Sequence, residues 1–140
     1  IYQRELKALA LAARGAGTLE EPDAKVSLDN PLCGDRLTLE LQLSDRRLVA
    51  VAHKVRGCLL CQAAASAIGE AAVGIDVEDA ESVLQQLTAM LKEGAGCQWQ
   101  EPWSALQVFE PVAAHKSRHN CVLLPFQALS AALRQALEKP

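Results

Sequence analysis

Five of the 140 residues are cysteines, Cys33, Cys58, Cys61, Cys97 and Cys121. Two of them, Cys58 and Cys61, form a CxxC directly after Gly57 in "RGCLLCQ". Such a pair can be a redox couple, half of a metal site, or one working thiol beside a bystander. An odd number of cysteines in a chain of this size and balance argues against a disulfide framework, which leaves metal binding or thiol chemistry. Cys33 lies in a Pro/Gly turn before a strand, Cys58 between a strand end and a helix start, and Cys121 at the start of the last helix. Helix N-termini favour the thiolate, which is both the nucleophile and the metal ligand. Asp35, in "CGD", can turn the same way as Cys33 because the glycine lets the backbone reverse. A Cys, Asp, Cys, Cys set suits tetrahedral zinc, or a cluster iron left with one replaceable oxygen ligand. The competing reading for any single cysteine is burial, since a thiol packs as a small hydrophobe.

Elements of both kinds must position these groups. "LKALALAARGAG" reads as an amphipathic helix, with Tyr2, Leu6, Leu9 and Ala13 on one face and Gly15 or Gly17 ending it, rather than as a signal peptide. On that reading the protein is cytoplasmic. A loop-rich stretch with a short strand at Ala24 to Leu28 follows. Leu37, Leu39, Leu41 and Leu43 then alternate with polar residues in a half-buried strand. "SDR" turns the chain into a second strand, with Val49, Val51 and Val55 on one face and His53 packed beside them. From Leu59 the composition shifts to strong helix formers, so a helix starts just after Cys58. Another helix spans about Val77 to Lys92, with Asp76 as N-cap and Gly94 at its end. A short helical piece lies near Trp103 to Phe109. The last helix holds Leu129, Leu133 and Leu137 inward, and Pro125 fits it only within the first turn. The fold class is α+β: a small antiparallel three-stranded sheet with helices packed mainly on one face.

Half of the residues are apolar, enough for one domain, residues 1–140, with its own core. The net charge of −3, with scattered Lys and Arg, speaks against nucleic acid or an anionic membrane as partner. No apolar run approaches the roughly 18 to 20 residues of a membrane span, because Glu70 interrupts the longest.

"DNPLCGDRLTLEL", "GCLLCQAAASAIGE" and "SRHNCVLLPFQAL" together resemble the U-type iron–sulfur cluster assembly family, which includes IscU, the NifU N-terminal domain and SufU. In that family an N-P-x-C-G-D turn, a G-C helix start and a late cysteine before a leucine-rich helix supply three thiols, with the Asp of CGD beside them. By position, the resemblance implies Cys33, Asp35, Cys58 and Cys121 as the site. The long interval between Cys58 and Cys121, with an inserted segment at about 74–103, is similar to the SufU branch. Arg118, three before Cys121, matches its R-x-x-C pattern. Asn120 stands where the IscU branch has histidine and SufU usually has lysine, so the chain departs from both.

For IscU-like members the resemblance implies a scaffold that builds a [2Fe–2S] cluster from desulfurase-derived sulfur. For SufU-like members it implies zinc on Cys, Asp, Cys and Cys, with ligand exchange on docking to a SufS-like cysteine desulfurase and Cys121 as the persulfide acceptor, a zinc-dependent sulfurtransferase. Downstream scaffolds or apo iron–sulfur proteins would receive the product. Cys61 stands where the family usually has serine and is expected to be a bystander near the metal. His119 reads as a solvated loop histidine with a minor claim to the metal, and Arg118 as a group that steadies thiolate or persulfide. Cys97 reads as a spare thiol, and Trp99 and Trp103 as fillers beneath the insert. The competing functions are a thiol oxidoreductase using Cys58 and Cys61, which leaves Cys33, Asp35 and Cys121 unexplained, and a structural zinc domain, which would ordinarily carry two CxxC knuckles.

Overall fold

A computed structural model describes residues 2–32, 34–96 and 98–138, with the side chains of residues 2 and 3 set aside. Cys33 and Cys97 lie outside the described residues. The chain runs through α1 (Tyr2–Ala12), β1 (Ala24–Asn30), β2 (Asp35–Ser44), β3 (Arg47–Arg56), α2 (Leu59–Ala71), α3 (Val77–Lys92) and α4 (His119–Glu138). Between α3 and α4 lie 3₁₀ turns at Ser104–Ala114 and Lys116–Arg118.

The three strands form one antiparallel sheet in the order β1-β2-β3. Strand alternation puts Leu37, Leu39 and Leu41 on one face, all fully buried, and α4 packs across β1 and β2 above them. Helix α2 packs against β3, α1 and α4, and α3 packs on the outer side of α4. The β2–β3 hairpin closes through Asp45 (φ 52°) and Arg46 (φ 66°), both left-handed, as a two-residue turn matched to strand twist requires.

Two helix ends follow their sequence signals. Asp76 caps α3 by accepting from the Asp79 N–H at 2.9 Å, while the Asp79 carboxylate accepts from the Asp76 N–H at 3.2 Å. The Asp79 N–H is the largest cause holding the Asp76 carboxyl below its usual range. At the other end Gly94 takes φ +67° as the helix stops.

Four expectations need correction. Helix α1 stops at Ala12, with Ala13 already left-handed (φ 44°), earlier than Gly15 or Gly17. In β3 Leu48 rather than Val49 is the buried residue at the hairpin end, because a bulge between Gln42 and Leu43 shifts the register there. Pro125 is the seventh residue of α4, not part of its first turn. Having no N–H, it cannot donate to the carbonyl of Cys121 four residues back, so the helical ladder is interrupted at that cysteine. Finally, His119 is no solvated loop residue: it opens α4, is buried, and its Nε2 lies 3.1 Å from the Ala113 carbonyl.

Trp99 and Trp103 are buried as expected of fillers. The Trp99 indole N–H points at Met90 Sδ (3.4 Å), and Trp103 meets Phe126 edge to face at 5.9 Å between ring centres.

Candidate metal centre

Three backbone junctions bring the candidate ligands together. The first is the turn from β1 to β2. Its two ends, Asn30 and Asp35, are cross-strand partners, so whatever lies between must fold back sharply. Asn30 organises that reversal: its side-chain oxygen accepts from the Leu32 N–H at 3.2 Å and its carbonyl from the Gly34 N–H at 2.8 Å. Gly34 sits at φ +77°, a conformation a side chain would resist. Asp35 is thereby the first residue of β2, and it is 2% exposed.

The second junction joins β3 to α2. Cys58 is the N-cap residue of α2 in extended conformation (φ −71°, ψ 171°), and its own side chain makes no cap bond. The Asp35 Oδ1 accepts from the Cys58 N–H at 2.9 Å instead, placing a carboxylate where helix-end donors and dipole favour negative charge. The Cys58 Sγ is 3.7 Å from Asp35 Oδ2. Gln62 fixes the junction from the first turn of α2 by donating its side-chain amide to the Gly57 carbonyl at 2.9 Å.

The third junction is the first turn of α4, where Cys121 is fully buried. One ligand atom each from Asp35, Cys58 and Cys121 lies within 4.8 Å of the others. Ligands about 2.0 to 2.3 Å from a tetrahedral zinc stand roughly 3.3 to 3.8 Å apart, so the 3.7 Å between Cys58 Sγ and Asp35 Oδ2 already falls within the range of such an edge. Two thiols and a carboxylate, two of the three buried, fit a borderline-soft divalent metal.

The other sequence candidates divide. Cys33, between Asn30 and Asp35 in the sequence, lies outside the described residues. Cys61, one turn along α2, is fully buried within the hydrophobic core cluster and is not among the three grouped ligands. His119 is buried against Ala113 and is likewise outside that group. Arg118 is exposed and, with Cys58, Leu59, Val112 and His115, lines a groove of about 470 Å³ that opens on the centre.

Sequence reasoning missed the arginines beside Asp35. Asp35, Arg36 and Arg56 line a second groove of about 430 Å³. Arg36 and Arg56 are cross-strand partners, and Arg36 also meets Asp29 at 3.7 Å. Their approach depends on strand register, which the order of residues does not spell out.

Comparison with known proteins agrees with this architecture. The family model described as "NifU-like N terminal domain" matches residues 1–121. The chain is 26% identical over 120 residues to an iron–sulfur cluster assembly scaffold protein IscU of Streptococcus pyogenes serotype M1, covering 86% of this chain and 74% of that one. It is 27% identical over 116 residues to a zinc-dependent sulfurtransferase SufU of Bacillus subtilis, covering 83% and 78%. The crystal structure of the N-terminal part of a nitrogen-fixing NifU-like protein from Brucella abortus superposes with a TM-score of 0.94 at 31% identity, covering 100% of this chain and 96% of that one. With a sheet and helices of the same arrangement and a family match over most of its length, the chain belongs to the NifU-like N-terminal domain family of iron–sulfur cluster assembly proteins.

Proposed function

We propose that this protein is a metal-binding, cytoplasmic iron–sulfur biogenesis factor that accepts sulfur from a cysteine desulfurase. Its metal site is Cys33, Asp35, Cys58 and Cys121, and it passes sulfur or a [2Fe–2S] cargo to downstream scaffolds or apo iron–sulfur proteins. The observation that carries this reading is the convergence of Asp35, Cys58 and Cys121 from three separate elements within 4.8 Å. Among the described residues no helix is long and apolar enough to cross a membrane. Bound zinc would hold the thiols deprotonated and shield them from oxidation.

The chain's own residues divide the remaining work. Asp35 is an oxygen ligand weaker than thiolate toward zinc, so it is the member most easily exchanged. Cys121 is the sulfur acceptor: its thiolate attacks the outer sulfur of the desulfurase persulfide, forming a Cys121 persulfide and releasing the desulfurase cysteine as thiolate. Its full burial means that the donor reaches it only when the structure around the first turn of α4 opens. Arg118 lines the groove beside Cys58 and offers a cation to the anionic sulfur on that path. The oxidoreductase reading finds less support, because Cys61 packs in the core.

The test is anaerobic purification followed by metal analysis and a desulfurase assay. One zinc per chain with faster desulfurase turnover, abolished in Cys121→Ser, supports sulfur acceptance. A reconstituted cluster without stimulation supports the scaffold role alone. A metal-free protein cycling a Cys58–Cys61 disulfide would sink both.

A further inference from the structure

The carboxylate of Asp35 lies across the start of α2, with Oδ1 on the Cys58 N–H at 2.9 Å and Oδ2 3.7 Å from the Cys58 Sγ. The space it occupies exists because residue 57 has no side chain. A β-carbon there would stand 2.5 Å from Asp35 Oδ1, 2.8 Å from its Cγ and 3.1 Å from its Cβ. Backbone conformation does not call for glycine at this position, since Gly57 is not among the positive-φ glycines. Gly34 is the opposite case: its φ is +77°, and nothing lies within 4 Å of where its β-carbon would be. Position 57 is therefore glycine for the sake of the carboxylate beside it, and position 34 for the sake of the turn.

We infer that Gly57 is a positioning residue of the metal centre, an empty volume that holds the Asp35 carboxylate with Oδ1 on the Cys58 N–H and leaves Oδ2 beside the Cys58 thiol, where it would serve as the oxygen ligand. This rests on the ligand set proposed above. A methyl group at 57 evicts the carboxylate from the start of α2 and removes the oxygen ligand. The thiols of Cys58 and Cys121, anchored on other backbone segments, stay in place. The carboxylate also gives up the Cys58 N–H, so α2 loses the side-chain cap that Asp35 supplies.

The experiment is a double-mutant cycle on the full chain, with zinc affinity read by competition against a chromophoric chelator and ligand type by Co²⁺ absorption. Asp35→Ala and Gly57→Ala are each expected to weaken zinc about 10- to 100-fold. The double variant should bind within about twofold of Asp35→Ala, since the group that Gly57 accommodates is already gone. The thiolate-to-Co²⁺ charge-transfer band should persist in all three. Wild-type affinity in Gly57→Ala, or a double variant that adds the two single losses, overturns the role of Gly57 while leaving the ligand set intact. Wild-type affinity in Asp35→Ala overturns the ligand set, and the role of Gly57 with it. Should Gly57→Ala fail to fold, the double variant decides: recovery of the folded chain upholds the steric conflict with Asp35, and continued failure refutes it.

Discussion

Gly57 and Gly69 bracket most of α2, and each omits a side chain that would collide with a neighbour, yet the neighbours differ in kind. At Gly57 the neighbour is the Asp35 carboxylate, a side chain that can rotate. At Gly69 it is main chain: a β-carbon would overlap the Arg14 carbonyl and come within 2.7 Å of the Gly15 nitrogen. Around Gly69 the segment after α1 is fastened between α2 and β3. The Arg14 N–H donates to the Ser66 hydroxyl at 3.0 Å and the His53 N–H to the Gly15 carbonyl at 2.9 Å. The Gly17 N–H in turn donates to the His53 carbonyl at 2.9 Å. One device, a missing β-carbon on α2 or just before it, thus does two things. Where it admits backbone it makes a joint. Where it admits an ionisable side chain next to thiols it makes a place for chemistry.

The contrast is broken most directly at Gly69. Gly69→Ala forces main-chain atoms apart in a packed region, and we expect a loss of about 3 kcal/mol or more in urea unfolding, or no folded protein at all. Gly57→Ala, where the obstructing group can swing away, should lose less. Equal losses at the two positions would dissolve the distinction. A smaller effect belongs to Ser66→Ala. The buried hydroxyl accepts the Arg14 N–H, so its removal strands a partly buried donor at a cost of about 1 to 2 kcal/mol. Zinc affinity should be unchanged in Ser66→Ala, and a large drop would mean that the joint and the metal centre are coupled.

These two glycines also mark the boundary of what was legible in the sequence. The alternation of Leu37, Leu39 and Leu41, the Asp76 N-cap, and the helix start after Cys58 are local patterns, and the structure has all of them. Asp35, Cys58 and Cys121 could be marked because a turn motif, a glycine–cysteine pair and a late cysteine each carry their own local signature; their convergence is seen only in three dimensions. What stayed hidden depends on long-range contact. His119 reads as a solvated loop residue, but the 3₁₀ turns before α4 bring the Ala113 carbonyl onto it. An isolated helix penalises Pro125 beyond its first turn, and the packing of α4 against α2, α3, β1 and β2 outweighs that penalty. The collision of position 57 with Asp35 links the junction between β3 and α2 to the start of β2, so no window along the chain contains it.

His53 offers the finest probe of the joint. It is 4% exposed, its Nε2 lies 2.7 Å from the Arg14 carbonyl, and its Nδ1 is buried with no hydrogen-bond partner among the described residues. The carbonyl contact requires the proton on Nε2, so the neutral ring presents a bare lone pair at Nδ1. Burial pushes the His53 pKa below the ordinary 6.5, and the Arg14 and Ala65 carbonyls pull it back by less. The unfolded chain therefore takes up this proton at a higher pH than the folded one. The stabilisation from keeping His53 neutral is complete above pH 6.5 and is lost as the pH falls from there through the depressed folded value. One proton limits the slope to about 1.4 kcal/mol per pH unit. Unfolding of the metal-free protein should show this slope on the acid side of neutrality. His53→Gln, whose amide can still donate to Arg14, should flatten it by that share without altering the alkaline plateau in shape. A variant that keeps the wild-type slope would place the titrating group elsewhere, and leave Gly69 and Ser66 to hold the joint unaided by His53.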